Sequence, residues 1–196
     1  MYKKQMTAQK ILCMAAIIVS AIFFLYTLGI MTDLYDSLYD TMRNPNDIYQ
    51  TDVDGSIVYY AMQAFNRMFL ILSIVQILLG VLLFLTNTHS RRRYYIGNFV
   101  STGLFVAGAI YNTVYAHTNI ETAKAMFLQV DFAALKEHAE LWGTLYTEST
   151  FWFDVHYLVF GLLMVVSILL VLNAIWKVQL MKDEAKLVEE GRRSAG

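Results

Sequence analysis

The chain has 196 residues, of which 57% are apolar or aromatic and only 16% are charged, and its formal net charge is -1. A water-soluble domain has about 25% charged residues and about 45–50% apolar ones, so this composition is typical of an integral membrane protein. It excludes disordered chains, which are poor in bulky apolar residues. Because the chain has one proline, one cysteine and almost no net charge, it is neither collagen-like, nor a disulfide-stapled scaffold, nor a basic nucleic-acid-binding protein.

Four uncharged apolar windows predict four membrane-spanning helices. A hydrocarbon layer about 30 Å thick requires roughly 20 helical residues, and the windows contain 21, 20, 21 and 20 residues without Asp, Glu, Lys, Arg or His. We therefore expect an all-α integral membrane protein, with four transmembrane helices in an antiparallel bundle that forms one membrane domain over residues 1–196. The windows are 11–31, 68–87, 96–116 and 157–176.

The distribution of charge predicts the orientation in the membrane. Lys and Arg are retained on the cytoplasmic side during insertion. The N-terminal segment, the turn between the second and third windows and the tail 177–196 have net charges of +3, +3 and +1, whereas 32–67 and 117–156 each have -4. We therefore expect both termini and a helical tail in the cytoplasm, with 32–67 and 117–156 as two folded extracytoplasmic loops. The first apolar run is too long for a cleaved signal peptide.

The first outer loop is predicted to extend the first helix and then turn. Pro45 ends that extension, because proline cannot continue a helix. Asp47, Asp52 and Asp54 precede Gly55 and resemble part of a calcium-binding loop, but the bidentate Glu of such a loop is missing. The preferred interpretation is a solvated acidic turn.

The second outer loop contains an amphipathic helix. Its apolar residues recur at spacings of four and three, with charged residues between them, and such a stripe must be covered. The apolar face of this helix is expected to pack against the first outer loop, the membrane interface or another protein. The stripe supplies the candidates for binding a partner, which are Leu128, Phe132, Leu135 and Trp142, with Ala139 between the last two.

Small and polar residues in the spans are candidates for helix packing. Lipid gives no hydrophobic drive for helices to associate, so close backbone approach and interhelical hydrogen bonds must hold them together. Gln76 in the second span either bonds a neighbouring helix or lines a hydrophilic path. The candidates in the third span are Gly97, Ser101, Gly103, Ala107, Gly108 and Asn112.

Histidines at the outer side offer an alternative chemistry. His117 ends the third span, and Asp154 and His156 lie at the start of the fourth, so their side chains are expected at one depth, as zinc ligation requires. No His-x-x-x-His or Cys-x-x-Cys pair supports a metal site. Histidines satisfied by hydrogen bonds are the preferred interpretation, and no cofactor is predicted.

Catalytic motifs are absent from the sequence. There is no Gly-x-Ser-x-Gly, and Cys13 lies in an apolar span where a thiolate is disfavoured. We therefore expect a protein without enzymatic activity and assign no catalytic residue. The spans also lack a titrating group, which argues against a proton-coupled pump.

Four sequence stretches resemble small bacterial four-span proteins of unassigned activity. They are 31–36 (MTDLYD), 87–98 (NTHSRRRYYIGN), and the pair 142–146 and 151–154 (WGTLY and FWFD). Some proteins of that group accompany carbohydrate ABC-transporter permeases. The resemblance implies a location in the bacterial cytoplasmic membrane and a partner subunit, but no functional residue.

The predicted function is that of an accessory or structural subunit of a bacterial solute-transport complex, which binds lipids and other membrane subunits such as permeases. The alternative is a homo-oligomeric channel, in which Gln76 and Asn112 face a shared lumen below an acidic outer vestibule. A third hypothesis is an outer-face metalloenzyme that uses His117, Asp154 and His156.

Overall fold

A computed structural model describes residues 2–33, 38–42, 51–87 and 93–194. Four of the helices in these ranges are long and apolar enough to cross a membrane, and no β-strand occurs in them. The prediction of an all-helical protein with four candidate spans is therefore confirmed. Pro45 and Asp47 lie outside the described residues. The helices are α1 (Tyr2–Asp33), α2 (Val58–Thr86), α3 (Arg93–Phe127), α4 (Phe132–Trp142) and α5 (Phe151–Ser194).

The long helices extend well beyond the apolar windows. α1 has 32 residues and α5 has 44, and at about 1.5 Å per residue α5 is roughly 66 Å long. That is about twice the thickness of a hydrocarbon layer. The residues of α5 from 182 to 191 are exposed, and six of these ten are charged.

The four long helices form a closed ring of contacts. α1 contacts α2 and α5, and α3 contacts the same two helices from the other side. The Tyr26 hydroxyl, late in α1, donates to the Trp152 carbonyl at the start of α5 (2.8 Å). Gln5, early in α1, donates to Asn173, later in α5 (3.4 Å). These contacts fix the register between the two helices.

An aromatic cluster fills the interior of the ring. Phe23 of α1 lies 5.2 Å from Phe69 of α2 and 5.1 Å from Phe160 of α5, measured between ring centroids. All three side chains are buried. Tilted and edge-to-face aromatic pairs contribute about 0.5–1.5 kcal/mol beyond their burial, so this cluster joins three helices at one level.

α4 packs one face against the rest of the protein. The Asp131 side chain accepts hydrogen bonds from two amides of its first turn, and Gly143 ends the helix with φ 68°. Leu135 and Ala139 are buried. The Asp131 amide donates to the Asp54 carbonyl (3.0 Å), so the segment before α4 contacts the segment before α2.

Candidate functional site

Gln76 and Asn112 form a buried amide pair between α2 and α3. The Asn112 side chain donates to Gln76 Oε1 (3.1 Å), and Gln76 Nε2 donates to the Phe105 carbonyl (3.2 Å). Gln76 is 0% exposed and Asn112 is 3% exposed. Both amides therefore connect helices within one chain, as polar groups in membrane proteins commonly do.

The small residues of α3 divide between two faces. Ser101 accepts from the Thr86 hydroxyl (3.2 Å), and Gly97 lies beside the same threonine. A Cβ on Gly108 would lie 2.7 Å from Gln76 Oε1, so glycine is needed there. Gly103 and Ala107 are exposed. Ser101 and Gly108 are seven residues apart and share one face of α3, whereas Gly103 and Ala107 lie on the opposite face.

A second polar cluster joins α1, α3 and α5 at the end of the ring near the chain termini. Asn98 Oδ1 accepts from Gln9 Nε2 (3.3 Å) and from Lys177 Nζ (3.2 Å). Asn173 in turn donates to Gln9 and accepts from Gln5. All five side chains are buried, including that of Lys177, which is 8% exposed.

The sequence reasoning missed most of this cluster. Asn98 and Asn173 lie in two of the apolar windows, where an unpaired polar group is costly, so the sequence predicts that each bonds a neighbouring helix. Lys177, in contrast, falls in the predicted cytoplasmic tail 177–196. The available signal was the spacing: Gln5 and Gln9 are four apart, as are Asn173 and Lys177, which places each pair on one helix face.

The candidates for binding a partner separate by exposure. Leu135 is buried and Phe132 packs against the core, so both are covered by the chain itself. Leu128 and Trp142 are 58% and 73% exposed. Leu141 and Leu145, which were not among the predicted candidates, are 75% and 79% exposed. We define the outer apolar surface as these four exposed side chains: Leu128, Leu141, Trp142 and Leu145.

A cavity of about 510 Å³ borders the outer apolar surface at Trp142. Two carboxylates, Asp40 and Asp52, line it together with His138. The distance between His138 Nε2 and Asp52 Oδ2 is 3.9 Å. Acidic groups beside an aromatic ring are suited to a cationic group.

Two histidines meet between α3 and α5. His117 Nδ1 lies 3.1 Å from His156 Nε2, so the structure brings together the two imidazoles singled out in the sequence. Their third neighbour is Glu121, whose Oε1 lies 3.8 Å from His156 Nε2. Asp154, the predicted third group, instead accepts from Lys124 (2.5 Å) and Thr150 (2.8 Å).

The sequence contained a signal for Glu121 that spacing rules identify. His117 and Glu121 are four residues apart, so they lie on one face of α3. Asp154 and His156 are only two apart, so on α5 their side chains point in different directions. Helical geometry therefore favours Glu121, rather than Asp154, as the acidic group beside the two histidines.

Comparisons with protein-family models, with curated proteins and with solved structures find no match to this chain. A functional assignment therefore depends on the side chains described above.

Proposed function

We propose that this protein is a non-enzymatic accessory subunit of a bacterial membrane transport complex, and that the outer apolar surface binds a partner subunit such as a carbohydrate permease. The observation that carries the proposal is the exposure of this surface: each of its four side chains is at least 58% exposed. They lie in 117–156, a segment with a net charge of -4 rather than in an apolar window. Exposed apolar side chains in polar surroundings mark interaction sites where they lie together, and Leu141, Trp142 and Leu145 are neighbours along the chain.

Burial of the outer apolar surface would provide binding free energy. Covering a Leu or Trp side chain fully contributes about 1.5–3 kcal/mol, before the cost of association. Trp is also among the residues that contribute most at interfaces. Trp142 and Leu145 are therefore the residues expected to matter most.

The negative charge around the outer apolar surface favours a protein over the lipid surface as its binding partner. The segment that carries the outer apolar surface is acidic, so anionic lipid headgroups repel it, whereas a basic protein surface attracts it. The neighbouring cavity adds to this preference. A Lys or Arg side chain of the partner can enter between Asp40 and Asp52 and stack on the Trp142 ring, a cation–π contact that contributes about 0.5–2 kcal/mol.

The channel hypothesis requires Gln76 and Asn112 to face a lumen shared by several copies of the chain. Both side chains bond to each other inside one chain and are buried. No contact of the described residues favours a lumen there, so the accessory role is the function we propose.

The double variant Trp142→Ser, Leu145→Ser is expected to reduce recovery of permease subunits at least about tenfold, because it removes the one aromatic side chain and the most exposed leucine of the surface. The measurement is affinity purification of the tagged full-length protein in mild detergent, followed by quantification of co-purifying subunits. Leu187→Ser, Val188→Ser is the matched control, since these residues of α5 are also more than half exposed but lie in the tail. Recovery of the wild-type protein alone, or equal recovery by both variants, would contradict the proposal.

The proposed orientation places both termini in the cytoplasm and α4 outside. In a Cys13→Ser background, a membrane-impermeant maleimide is expected to label Glu148→Cys in intact cells and Ala185→Cys only after lysis. Both positions are exposed, so accessibility to the reagent depends on the side of the membrane. The reverse labelling pattern would overturn the orientation and the outer location of the partner-binding surface.

A further inference from the structure

We propose that His117, Glu121 and His156 form a binding site for one zinc ion between α3 and α5. One ligand atom from each residue lies within 4.8 Å of the others. In a tetrahedral site with zinc–ligand distances of about 2.0–2.1 Å, neighbouring ligand atoms are about 3.3 Å apart. The distances from His156 Nε2 to His117 Nδ1 (3.1 Å) and to Glu121 Oε1 (3.8 Å) lie on either side of that value. The third distance, between the ligand atoms of His117 and Glu121, is at most 4.8 Å. An ion therefore fits after side-chain shifts of about an ångström.

Hydrogen bonds already orient two of the three ligands. His156 Nδ1 faces the Phe153 carbonyl at hydrogen-bonding distance, so Nδ1 carries the proton and Nε2 presents its lone pair to His117 and Glu121. The Tyr157 hydroxyl donates to Glu121 Oε1 (3.0 Å). Partners of this kind fix the ring tautomer and the carboxylate position at metal sites.

The charges around the cluster leave room for a cation. Three atoms with electron pairs, His117 Nδ1, His156 Nε2 and Glu121 Oε1, converge on one point, and a proton or a metal ion must lie between them. The ammonium group of Lys124 lies close enough to interact with Glu121, but its ion pair is with Asp154 (2.5 Å). It does not pair with a ligand of the cluster. In the zinc-bound form the single N–H of each neutral imidazole lies on the nitrogen that does not face the ion, Nδ1 in His156 and Nε2 in His117.

The donor set selects the class of metal. Two imidazoles and one carboxylate suit zinc, whereas Mg²⁺ and Ca²⁺ require oxygen ligands. His156 is 1% exposed but Glu121 and His117 are accessible, so the ion can enter from the aqueous side. Three protein ligands leave a fourth tetrahedral position for water or for a group from a partner.

Zinc binding to the detergent-purified, full-length protein tests this site. After chelation and dialysis against Zn²⁺, elemental analysis is expected to give one zinc per chain. His117→Ala, His156→Ala and Glu121→Gln are each expected to weaken zinc binding about 100-fold, because each removes one of only three protein ligands. His138→Ala and Asp154→Asn are the controls: the first removes another histidine of the same segment, and the second the acid predicted from sequence. Both are expected to bind one zinc.

A conservative variant separates loss of a ligand from loss of the fold. Tyr157→Phe keeps all three ligands and removes only the hydrogen bond to Glu121, so zinc affinity is expected to fall about tenfold. The visible absorption of bound Co²⁺ should report tetrahedral coordination in the wild type and in Tyr157→Phe. Each variant is compared at unchanged helical content and elution volume. Absence of stoichiometric zinc in the wild type, or full binding by the Glu121 and His117 variants, would overturn the proposal.

Discussion

Replacement of Asn98 with leucine is expected to lower the free energy of unfolding by about 2–4 kcal/mol. Asn98 Oδ1 accepts from Gln9 of α1 and from Lys177 of α5, so one oxygen joins α3 to two other helices. A hydrogen bond to a charged donor contributes about 1.5–3 kcal/mol and a neutral one about 1 kcal/mol. Leucine also leaves a buried ammonium with one acceptor fewer. Unfolding titrations of the purified protein in mixed micelles measure the change.

Asn98→Asp should behave in the opposite way to leucine. The Asn98 Nδ2 group has no hydrogen-bond partner among the described residues, so the position uses only its acceptor. Aspartate keeps the acceptor and places a negative charge 3.2 Å from the position of Lys177 Nζ. Stability at or above that of the wild type is expected. An Asn98→Leu protein within about 0.5 kcal/mol of the wild type would show that the cluster does not hold the helices together.

The change Gly29→Ala is expected to lower the free energy of unfolding by about 1–3 kcal/mol. A Cβ on Gly29 would overlap the ring of Trp152, which packs on α1 from the start of α5. Trp152 is also held through its carbonyl, which accepts from the Tyr26 hydroxyl (2.8 Å). The ring must therefore shift while its backbone remains fixed. The same micelle titration measures the loss.

Gly103→Ala is the matched control for Gly29→Ala. Nothing described lies within 4 Å of a Cβ on Gly103, so the better helix propensity of alanine is expected to raise stability by up to about 1 kcal/mol. In a Trp152→Leu background, Gly29→Ala should lose most of its effect, because the overlapping ring is gone. An equal cost of Gly29→Ala in both backgrounds would show that the clash is not its cause.

The candidate zinc site shows how far local rules reach. Chain position predicted that His117 and His156 lie at one end of their spans, and the structure places them together. Helical spacing alone favours Glu121 over Asp154 as the neighbour of the two histidines. Spacing does not reveal that Asp154 forms an ion pair with Lys124. That ion pair depends on the rotation of α3 against α5.

The partner-binding candidates show the same division. The four-and-three spacing in 128–142 identified α4 as amphipathic, and Leu135 and Ala139 are buried as such a stripe requires. Spacing did not decide which apolar residues stay exposed. Trp142 ends α4, and Leu145 lies just beyond the turn at Gly143, where the helical period no longer applies.

By itself, the sequence determined the class of protein and the number of candidate spans, because the length of an uncharged run is a local property that the thickness of a bilayer translates directly into helices. Only the tertiary structure decided which faces meet. A span that is apolar on all sides carries little information about its rotation, since lipid and protein both accept apolar side chains. The hydrogen bond of Asn173 to Gln9, 164 residues away, and the enclosure of Lys177 follow from the rotation and register of whole helices.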